Sequence, residues 1–150
     1  PPKVWQHLSQ SLVLLYSGVT RKAGPVLRKA RAGFGTNAPA LRRMRDLAER
    51  SRADLQAGRV DALGDALHEG WELKKSLSGG ISNPRIDAAY AAARRQGATG
   101  GKILGAGGGG FLLMFCPPEK RSRMLAALKG WREIAFNFEP EGSKIIHVSQ

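Results

Sequence analysis

The chain has 150 residues, of which 42% are hydrophobic, and it carries a formal net charge of +12 at pH 7. A chain of this length buries roughly 70% of its unfolded surface, so we expect one folded domain over residues 1–150 and exclude a disordered chain. No apolar run approaches the roughly 20 residues that cross a bilayer. These features predict a cytoplasmic protein without a membrane partner.

The cysteine and histidine content argues against internal disulfide bonds and against a zinc site. The single Cys116 excludes internal disulfide bonds, and its place at the end of an apolar run predicts a buried thiol. His7, His68 and His147 lie too far apart for zinc-ligand spacing, so no metal site is predicted. The chain begins Pro-Pro without an initiator Met, which leads us to expect a processed or cropped product.

Positive charge is concentrated in residues 21–59, which hold eleven Lys and Arg against three acidic residues. Such a cluster is typical of proteins that meet phosphate on nucleic acid, membranes or small ligands. The arginines from Arg42 to Arg52 nevertheless fall opposite an apolar stripe, as on the solvent-facing side of a helix. Aromatic residues that could stack on bases do not alternate with them, so nucleic acid is not an expected partner.

The first half of the chain reads as one strand followed by helices. Residues 11–17 form an apolar run of strand length. Helices are predicted over residues 20–30, 40–57 and 60–77, with a loop at 33–39. A fourth helix is expected to begin with Asn83 as N-cap and Pro84 in its first turn, and to end at Gly97.

The second half reads as strands around a glycine-rich passage. Residues 100–110 lead into a strand at 111–116, Pro117 and Pro118 open another helix, and strands follow at 134–138 and 144–148. This order predicts an α+β fold with helices packed on a mainly antiparallel sheet. We assign the large aromatic side chains to core packing, namely Trp5, Trp71, Tyr90 and Trp131. His68 is not proposed as a catalytic base, because no nucleophile and carboxylate accompany it.

The glycine-rich passage carries the chemistry. Four consecutive glycines, Gly107 to Gly110, follow Gly105 and the sequence Gly100-Gly101-Lys102. Glycine weakens regular structure, so such a run is expected where the backbone takes positive φ angles, packs closely or turns N–H groups toward an anion. A flexible hairpin loop is the alternative. Neither the P-loop pattern nor the dinucleotide-binding glycine pattern is present.

The passage ATGGKILGAGGGGFLLMF resembles the C-terminal glycine motif of the GHMP kinases, a family that includes galactokinase, homoserine kinase, mevalonate kinase and phosphomevalonate kinase. LVLLYSGVTRKAGPVL and WELKKSLSGGISNPRIDAAYAAARRQGA precede it in the order seen in the heptose-phosphate kinase branch. The resemblance implies a four-stranded ferredoxin-like plait and transfer of the γ-phosphoryl group of ATP, with Mg²⁺, to a sugar or sugar phosphate. Galactose-type and fucose-type kinases are less similar.

The family's phosphate loop, P-x-x-x-G-L-S-S-S, does not occur here, and its magnesium ligand and catalytic Asp also belong to the N-terminal half. The resemblance therefore implies a C-terminal half that partners its own N-terminal kinase half. Alone it is expected to be inactive, with no catalytic residue in this chain. ATP and Mg²⁺ are expected to bind mainly to the other half.

Site residues follow from the same resemblance. The glycine loop, made of Gly105, Ala106, Gly107, Gly108 and Gly109, is expected to pack against the phosphate loop of the other half. Lys102 is expected to add positive charge toward the phosphates, with a surface lysine at the start of a strand as the alternative. Substrate binding is expected at Arg21, Lys74, Lys75 and Ser78. Arg21 could hold a substrate phosphate through two parallel hydrogen bonds, although a solvated arginine is the alternative.

Two other function classes remain open at this point. The basic α+β domain could bind nucleic acid through its arginine-rich helices without catalysis, in which case its affinity would fall steeply with salt. It could also be a stand-alone regulatory or sugar-phosphate-binding module that never had an N-terminal half.

Overall fold

The computed structural model describes residues 2–20, 24, 28, 34–142 and 144. Its helices are α1 (Pro2–Ser11), α2 (Phe34–Gln56), α3 (Ala62–Ser76), α4 (Pro84–Arg95) and α5 (Arg121–Ala127), with a 3-10 turn at Pro118–Lys120. Its strands are β1 (Leu12–Tyr16), β2 (Gly100–Ile103), β3 (Phe111–Phe115) and β4 (Arg132–Ile134). Among the described residues, no helix has the length and apolar character needed to cross a membrane.

The four strands form one antiparallel sheet in the order β2-β3-β1-β4. β1 and β3 are the central strands, and Leu15 of β1 lies opposite Leu112 of β3, which in turn lies opposite Ile103 of β2. Helices α2 to α4 connect β1 to β2, and α5 connects β3 to β4. The chain therefore has the split β-α-β arrangement of a ferredoxin-like plait, and the predicted fold class is confirmed.

The sheet packs apolar side chains on both faces because strand residues alternate between them. One face carries the larger core, in which the sheet meets α4 and α5 through Val13, Leu15, Ile103, Leu112, Met114, Ile86, Ala89, Tyr90, Ala93 and Met124. The other face carries a smaller core made of Leu8, Leu12, Val60 and Phe115. Cys116 is a buried free thiol, as predicted.

Helix α3 packs against the edge strand β2 through two glycines. A Cβ built on Gly64 would lie 1.8 Å from the Thr99 hydroxyl oxygen, and one built on Gly100 would lie 1.8 Å from the Gly64 carbonyl oxygen. Only glycine at both positions allows this approach. Because α3 lies against β2, it shields this sheet edge from pairing with other chains.

The predicted helix α4 is confirmed at both ends. Asn83 is its N-cap, where the side-chain Oδ1 accepts a hydrogen bond of 3.0 Å from the Ile86 amide, and Pro84 occupies the first turn. The helix ends before Gly97, whose φ of +101° is left-handed. The predicted helix at 60–77 corresponds to α3, and the helix after Pro117 corresponds to α5.

The structure corrects three local predictions. Residues 2–11 form helix α1, which was not predicted; its Val4 and Leu8 pack on the smaller core. Residues 34–39, expected in a loop, are the start of α2, and the Asn37 side-chain amide donates to the Leu77 carbonyl at 2.9 Å. This tertiary hydrogen bond helps hold the segment helical although Pro39 lies within it, in the second turn.

The third correction concerns the last strands. β4 covers Arg132–Ile134 rather than residues 134–138, and it pairs with the end of β1 near Tyr16. Phe138 instead packs edge-on against Trp5, with ring centroids 5.0 Å apart. Of the predicted strand 144–148, all but Lys144 lies outside the described residues, and so does most of the predicted helix 20–30.

The aromatic residues divide between core and surface. Trp71 and Tyr90 are buried and Trp131 is partly buried, as their assignment to core packing predicts. Trp5 is 53% exposed, so its assignment to the core is wrong. It lies on the outer side of α1, where its ring contacts Phe138 alone among the described aromatic rings.

Candidate functional site

The glycine loop, residues 104–110, connects β2 to β3 at one end of the sheet. The Leu104 amide donates to the Phe111 carbonyl at 2.8 Å and closes the loop. The φ angles of Gly105, Gly107, Gly108 and Gly110 are left-handed, at +71°, +99°, +78° and +82°. Side chains with a Cβ are strained in this conformation, so the loop requires its glycines. Successive amides in such a turn can form a concave site for an anion.

Two segments of the same chain support the loop from behind. The Gly108 amide donates to the Ile81 carbonyl, and the Gly110 amide donates to the Val19 carbonyl, each at 2.8 Å. A Cβ built on Gly107 would lie 2.5 Å from the Ile81 carbonyl oxygen, and one on Gly109 would lie 3.0 Å from the Val19 carbonyl oxygen. Close packing within this chain therefore accounts for the glycines at 107 and 109.

Asn83 connects the loop to the start of α4. While its Oδ1 caps the helix, its Nδ2 donates to the Gly108 carbonyl at 3.2 Å. One amide side chain thus satisfies a free helix amide and a loop carbonyl together. The sequence identified Asn83 as a cap, but its contact with the loop was missed because Gly108 is 25 residues away.

Lys74 crosses from the last turn of α3 to the start of the loop. Its Nζ donates to the Gly105 carbonyl at 2.6 Å and to the Ile103 carbonyl at 3.3 Å. Partial burial, followed by the positive charge of Lys102, lowers the pKa of Lys74 below its usual value. Lys74 was predicted as a substrate-binding residue, and the structure places its ammonium group on the backbone of the loop.

Lys102 lies apart from the turn of the glycine loop. It belongs to β2, opposite Leu113, and lines a groove of about 170 Å³ between α2 and α3 whose other walls include Met44, Leu47, Leu63 and Leu67. Its charge is close enough to affect Lys74. The structure thus brings Lys102 near Lys74, which contacts the loop. That Lys102 acts on a phosphate stays a prediction.

Three of the remaining predicted site residues, Lys75, Ser78 and Ala106, lie in the described part of the chain. Lys75 pairs with Glu72 at 2.8 Å and lies over the Trp71 ring at 5.8 Å. The Ser78 hydroxyl donates to the Gly79 carbonyl at 3.2 Å. Ala106 packs against the larger core. Arg21 lies outside the described residues.

Exposed apolar side chains surround the loop. Val19 is 39% exposed, Leu104 is 37% exposed and Phe111 is 39% exposed. The Phe111 ring also contacts Tyr16, with centroids 5.2 Å apart. These three side chains, called the loop rim below, flank a backbone that is open above Gly105 and Gly110, where an added Cβ would meet nothing within 4 Å.

The basic helices carry ion pairs of their own. Arg43 and Arg50 both bind Glu69, at 2.8 and 3.3 Å, and these arginines lower the pKa of Glu69 below its usual value, the Arg43 hydrogen bond most of all. Arg45 pairs with Asp46, and Arg59 pairs with Asp54. Four arginines of the basic stretch are thus paired with carboxylates.

A histidine–tyrosine pair was missed by the sequence analysis. His68 Nδ1 lies 2.8 Å from the Tyr90 hydroxyl, which joins α3 to α4. Burial is the main cause that raises the pKa of Tyr90 to about 12. The phenol is therefore neutral at neutral pH, and the tautomer of the His68 ring sets which of the two groups donates. The two residues are 22 positions apart in the sequence, so no local pattern indicated this contact.

The side chains that touch the loop, Lys74 and Asn83, supply hydrogen-bond donors and a positive charge rather than a base or a nucleophile. Within the described residues there is also no group of three His, Cys, Asp or Glu side chains that could hold a metal ion. The loop can bind, orient and support a phosphate or a second loop.

Comparison with known proteins identifies relatives of this arrangement. Residues 51–132 match the family described as GHMP kinases C terminal. D-glycero-alpha-D-manno-heptose 7-phosphate kinase of Campylobacter jejuni is 29% identical over 142 residues, which cover 92% of this chain and 42% of that protein. The chain thus spans less than half the length of this curated relative.

Solved structures share the fold. Mevalonate kinase of L. major, bound to R-mevalonate, superposes with a TM-score of 0.68 at 21% identity over 79% of this chain and 37% of that one. A D-glycero-D-manno-heptose 1-phosphate kinase from Bacteriodes thetaiotaomicron gives 0.61 at 22% identity over 92% of this chain and 36% of that one. Both matches cover little more than a third of the solved chains.

Proposed function

This chain belongs to the GHMP kinase family, and on that premise we propose that it forms the C-terminal half of an ATP-dependent sugar kinase. The kinase transfers the γ-phosphoryl group of ATP to a hydroxyl of a sugar phosphate, with heptose 7-phosphate as the first candidate. The similarity to a heptose 7-phosphate kinase over 92% of this chain supports this choice of substrate. In the proposed kinase, phosphoryl transfer takes place in the cytoplasm.

The observation that carries the proposal is the form of the glycine loop. Ile81 and Val19 hold the loop from behind, whereas the backbone at Gly105 and Gly110 and the loop rim face outward. Exposed apolar residues around an open backbone are typical of a surface that another protein segment covers. In the proposed kinase this segment is the phosphate loop of the N-terminal half.

The chain's own contribution is positioning. Phosphoryl transfer depends on orienting the phosphates and neutralising their charge, with little covalent chemistry for the protein. The glycine loop supports the phosphate loop, and Lys74, with Lys102 close enough to affect its pKa, adds positive charge. The base, the magnesium ligands and most ATP contacts are supplied by the N-terminal half, so the 150-residue chain alone is inactive.

Arg21, Lys75 and Ser78 keep their proposed role in binding the substrate. Lys75 and Ser78 lie close in sequence to the C-terminal end of α3, and their side chains already contact Glu72 and Gly79. Arg21 follows Val19, whose carbonyl supports the loop, by two residues.

The test is ADP release by this chain and by a version extended at its N-terminus with the upstream coding sequence. Heptose 7-phosphate, heptose, galactose, fucose and mevalonate are offered in turn. Turnover by the extended protein alone supports the proposal and identifies the acceptor. If neither protein releases ADP with any acceptor, the proposed kinase function is contradicted. The next experiment is then a salt titration of binding to nucleic acid.

A matched pair of variants connects turnover to the loop. Gly107→Val in the extended protein places a side chain against Ile81 and is expected to abolish turnover. Gly130→Ala is the control, because Gly130 also has a left-handed φ, +85°, but lies outside the loop with nothing within 4 Å of an added Cβ. Equal losses in both variants would show that the loop has no special role.

A further inference from the structure

We propose that Lys74 is a positioning residue that fixes the conformation of the glycine loop from the neighbouring helix. Its effect on phosphoryl transfer rests on the proposed function, whereas its hold on the loop can be tested in this chain alone. The role differs from substrate binding, because the ammonium group acts on the protein backbone.

Lys74 connects two backbone carbonyls through its ammonium group. Its Nζ reaches the carbonyl of Ile103, the last residue of β2, and the carbonyl of Gly105, the first glycine of the loop. The two carbonyls lie on either side of Leu104, where the chain leaves the sheet. A single ammonium group thereby sets the direction in which the loop departs from β2.

The surroundings of Lys74 are unfavourable for a lysine that serves only stability. Burial and the nearby charge of Lys102 both disfavour its ammonium form. Its hydrogen bonds within the described part of the chain go to carbonyl oxygens, and no carboxylate forms an ion pair with it there. Retaining a cation at such a place is expected where it holds a functional segment.

The loop needs such a support on this side. Gly108 and Gly110 are held by Ile81 and Val19, but Gly105 has a left-handed φ, and a Cβ built on it would meet nothing within 4 Å. Glycine loses more backbone freedom on ordering than any other residue, so fixing Gly105 costs conformational entropy. A charge-assisted hydrogen bond from Lys74 to the Gly105 carbonyl offsets this cost.

The first experiment measures amide hydrogen exchange in this chain and in three variants. Lys74→Met keeps the length and removes the donor, Lys74→Arg restores a charged donor, and Lys75→Met is the control because Lys75 pairs with Glu72 instead. In Lys74→Met we expect the amides of Leu104, Gly108 and Gly110 to exchange about tenfold faster. We expect little change at Leu112 and Met114 in the core.

Lys74→Arg is expected to recover most of the protection, and Lys75→Met is expected to match the unmodified chain. Unchanged loop exchange in Lys74→Met would overturn the proposal. So would a uniform increase over loop and core, because this would report a general loss of stability rather than a local release of the loop.

The second experiment uses the N-terminally extended protein. Lys74→Met is expected to lower kcat about tenfold or more while the KM for the sugar acceptor stays unchanged, and Lys74→Arg is expected to restore kcat. A raised KM with normal kcat would show substrate binding and overturn the positioning role. If the unmodified extended protein is inactive with every acceptor, the proposed function fails, whereas the exchange result still decides whether Lys74 holds the loop.

Discussion

Gly107 lies so close to Ile81 that a Cβ built on the glycine would stand 2.5 Å from the Ile81 carbonyl oxygen. This contact locks the middle of the glycine loop onto the segment that precedes α4. Gly105, in the same loop, also has a left-handed φ, but a Cβ built there would meet nothing within 4 Å. A substitution at Gly105 therefore carries the cost of backbone strain alone, whereas one at Gly107 adds a steric clash.

We predict that Gly105→Ala lowers the free energy of unfolding by about 1–2 kcal/mol, the cost of a left-handed φ for a residue with a Cβ. Gly107→Ala is expected to lower it by at least about 1 kcal/mol more, because Ile81 must also move. Urea unfolding of both variants measures the difference. Equal losses would contradict the tight contact with Ile81.

The contact between α3 and β2 gives a second pair of variants. Gly64→Ala would place a Cβ 1.8 Å from the Thr99 hydroxyl oxygen, and we expect a loss of about 3 kcal/mol or more. Gly70→Ala, in the same helix, meets only the Leu47 Cδ2 at 3.3 Å, and its better helix propensity should keep the change within about 1 kcal/mol. Thermal and urea unfolding of the two variants measure the difference in stability. A tolerated Gly64→Ala would refute the close packing.

The two hydrogen bonds of Asn83 can be tested separately. Asn83→Ala removes the helix cap and the bond to the Gly108 carbonyl, and we expect a loss of about 0.5–2 kcal/mol from the cap alone. Asn83→Asp keeps a good cap but cannot donate to Gly108, so stability should largely persist while the Gly108 amide signal shifts in NMR spectra. An unshifted loop in Asn83→Asp would contradict the contact.

The pH dependence of stability should reveal Tyr90. Its pKa in the folded chain is raised to about 12, whereas an unfolded tyrosine titrates near about 10. The neutral phenol is therefore favoured in the folded state, and its contribution is complete below about pH 10 and is lost as the pH rises from about 10 to about 12.

Unfolding of the chain and of Tyr90→Phe at several pH values measures this contribution. The unmodified chain should lose more stability than the variant over that window, and the titration of Lys74, common to both, cancels in the difference. Absorbance of the phenolate should show one of the two tyrosines titrating late, and this late step should vanish in Tyr90→Phe. Two tyrosines that titrate together near the usual value would refute the raised pKa.

Features with local causes were predictable from the sequence. Asn83, Pro84 and Gly97 define α4 through capping and φ preferences that act within a few residues. The apolar runs predicted the two central strands, and the glycine motif indicated both the hairpin loop between β2 and β3 and the family to which the chain belongs. These signals are carried by neighbouring residues, so the sequence alone was sufficient.

Other features depend on residues that meet only after folding. The segment around Asn37 is helical although Pro39 lies in it, and Asn37 bonds to Leu77, 40 positions away. Phe138 packs on Trp5, at the other end of the described chain, beyond the shorter β4.

The glycine loop contains both kinds of feature, those that the sequence predicted and those that only the tertiary structure decided. Its left-handed residues were predictable because only glycine adopts such φ angles without strain. Which groups hold it, namely Ile81, Val19, Asn83 and Lys74, was decided by the tertiary structure. These contacts join segments separated by 20 or more residues. Local periodicity and propensity act over a few residues, so they do not predict such contacts.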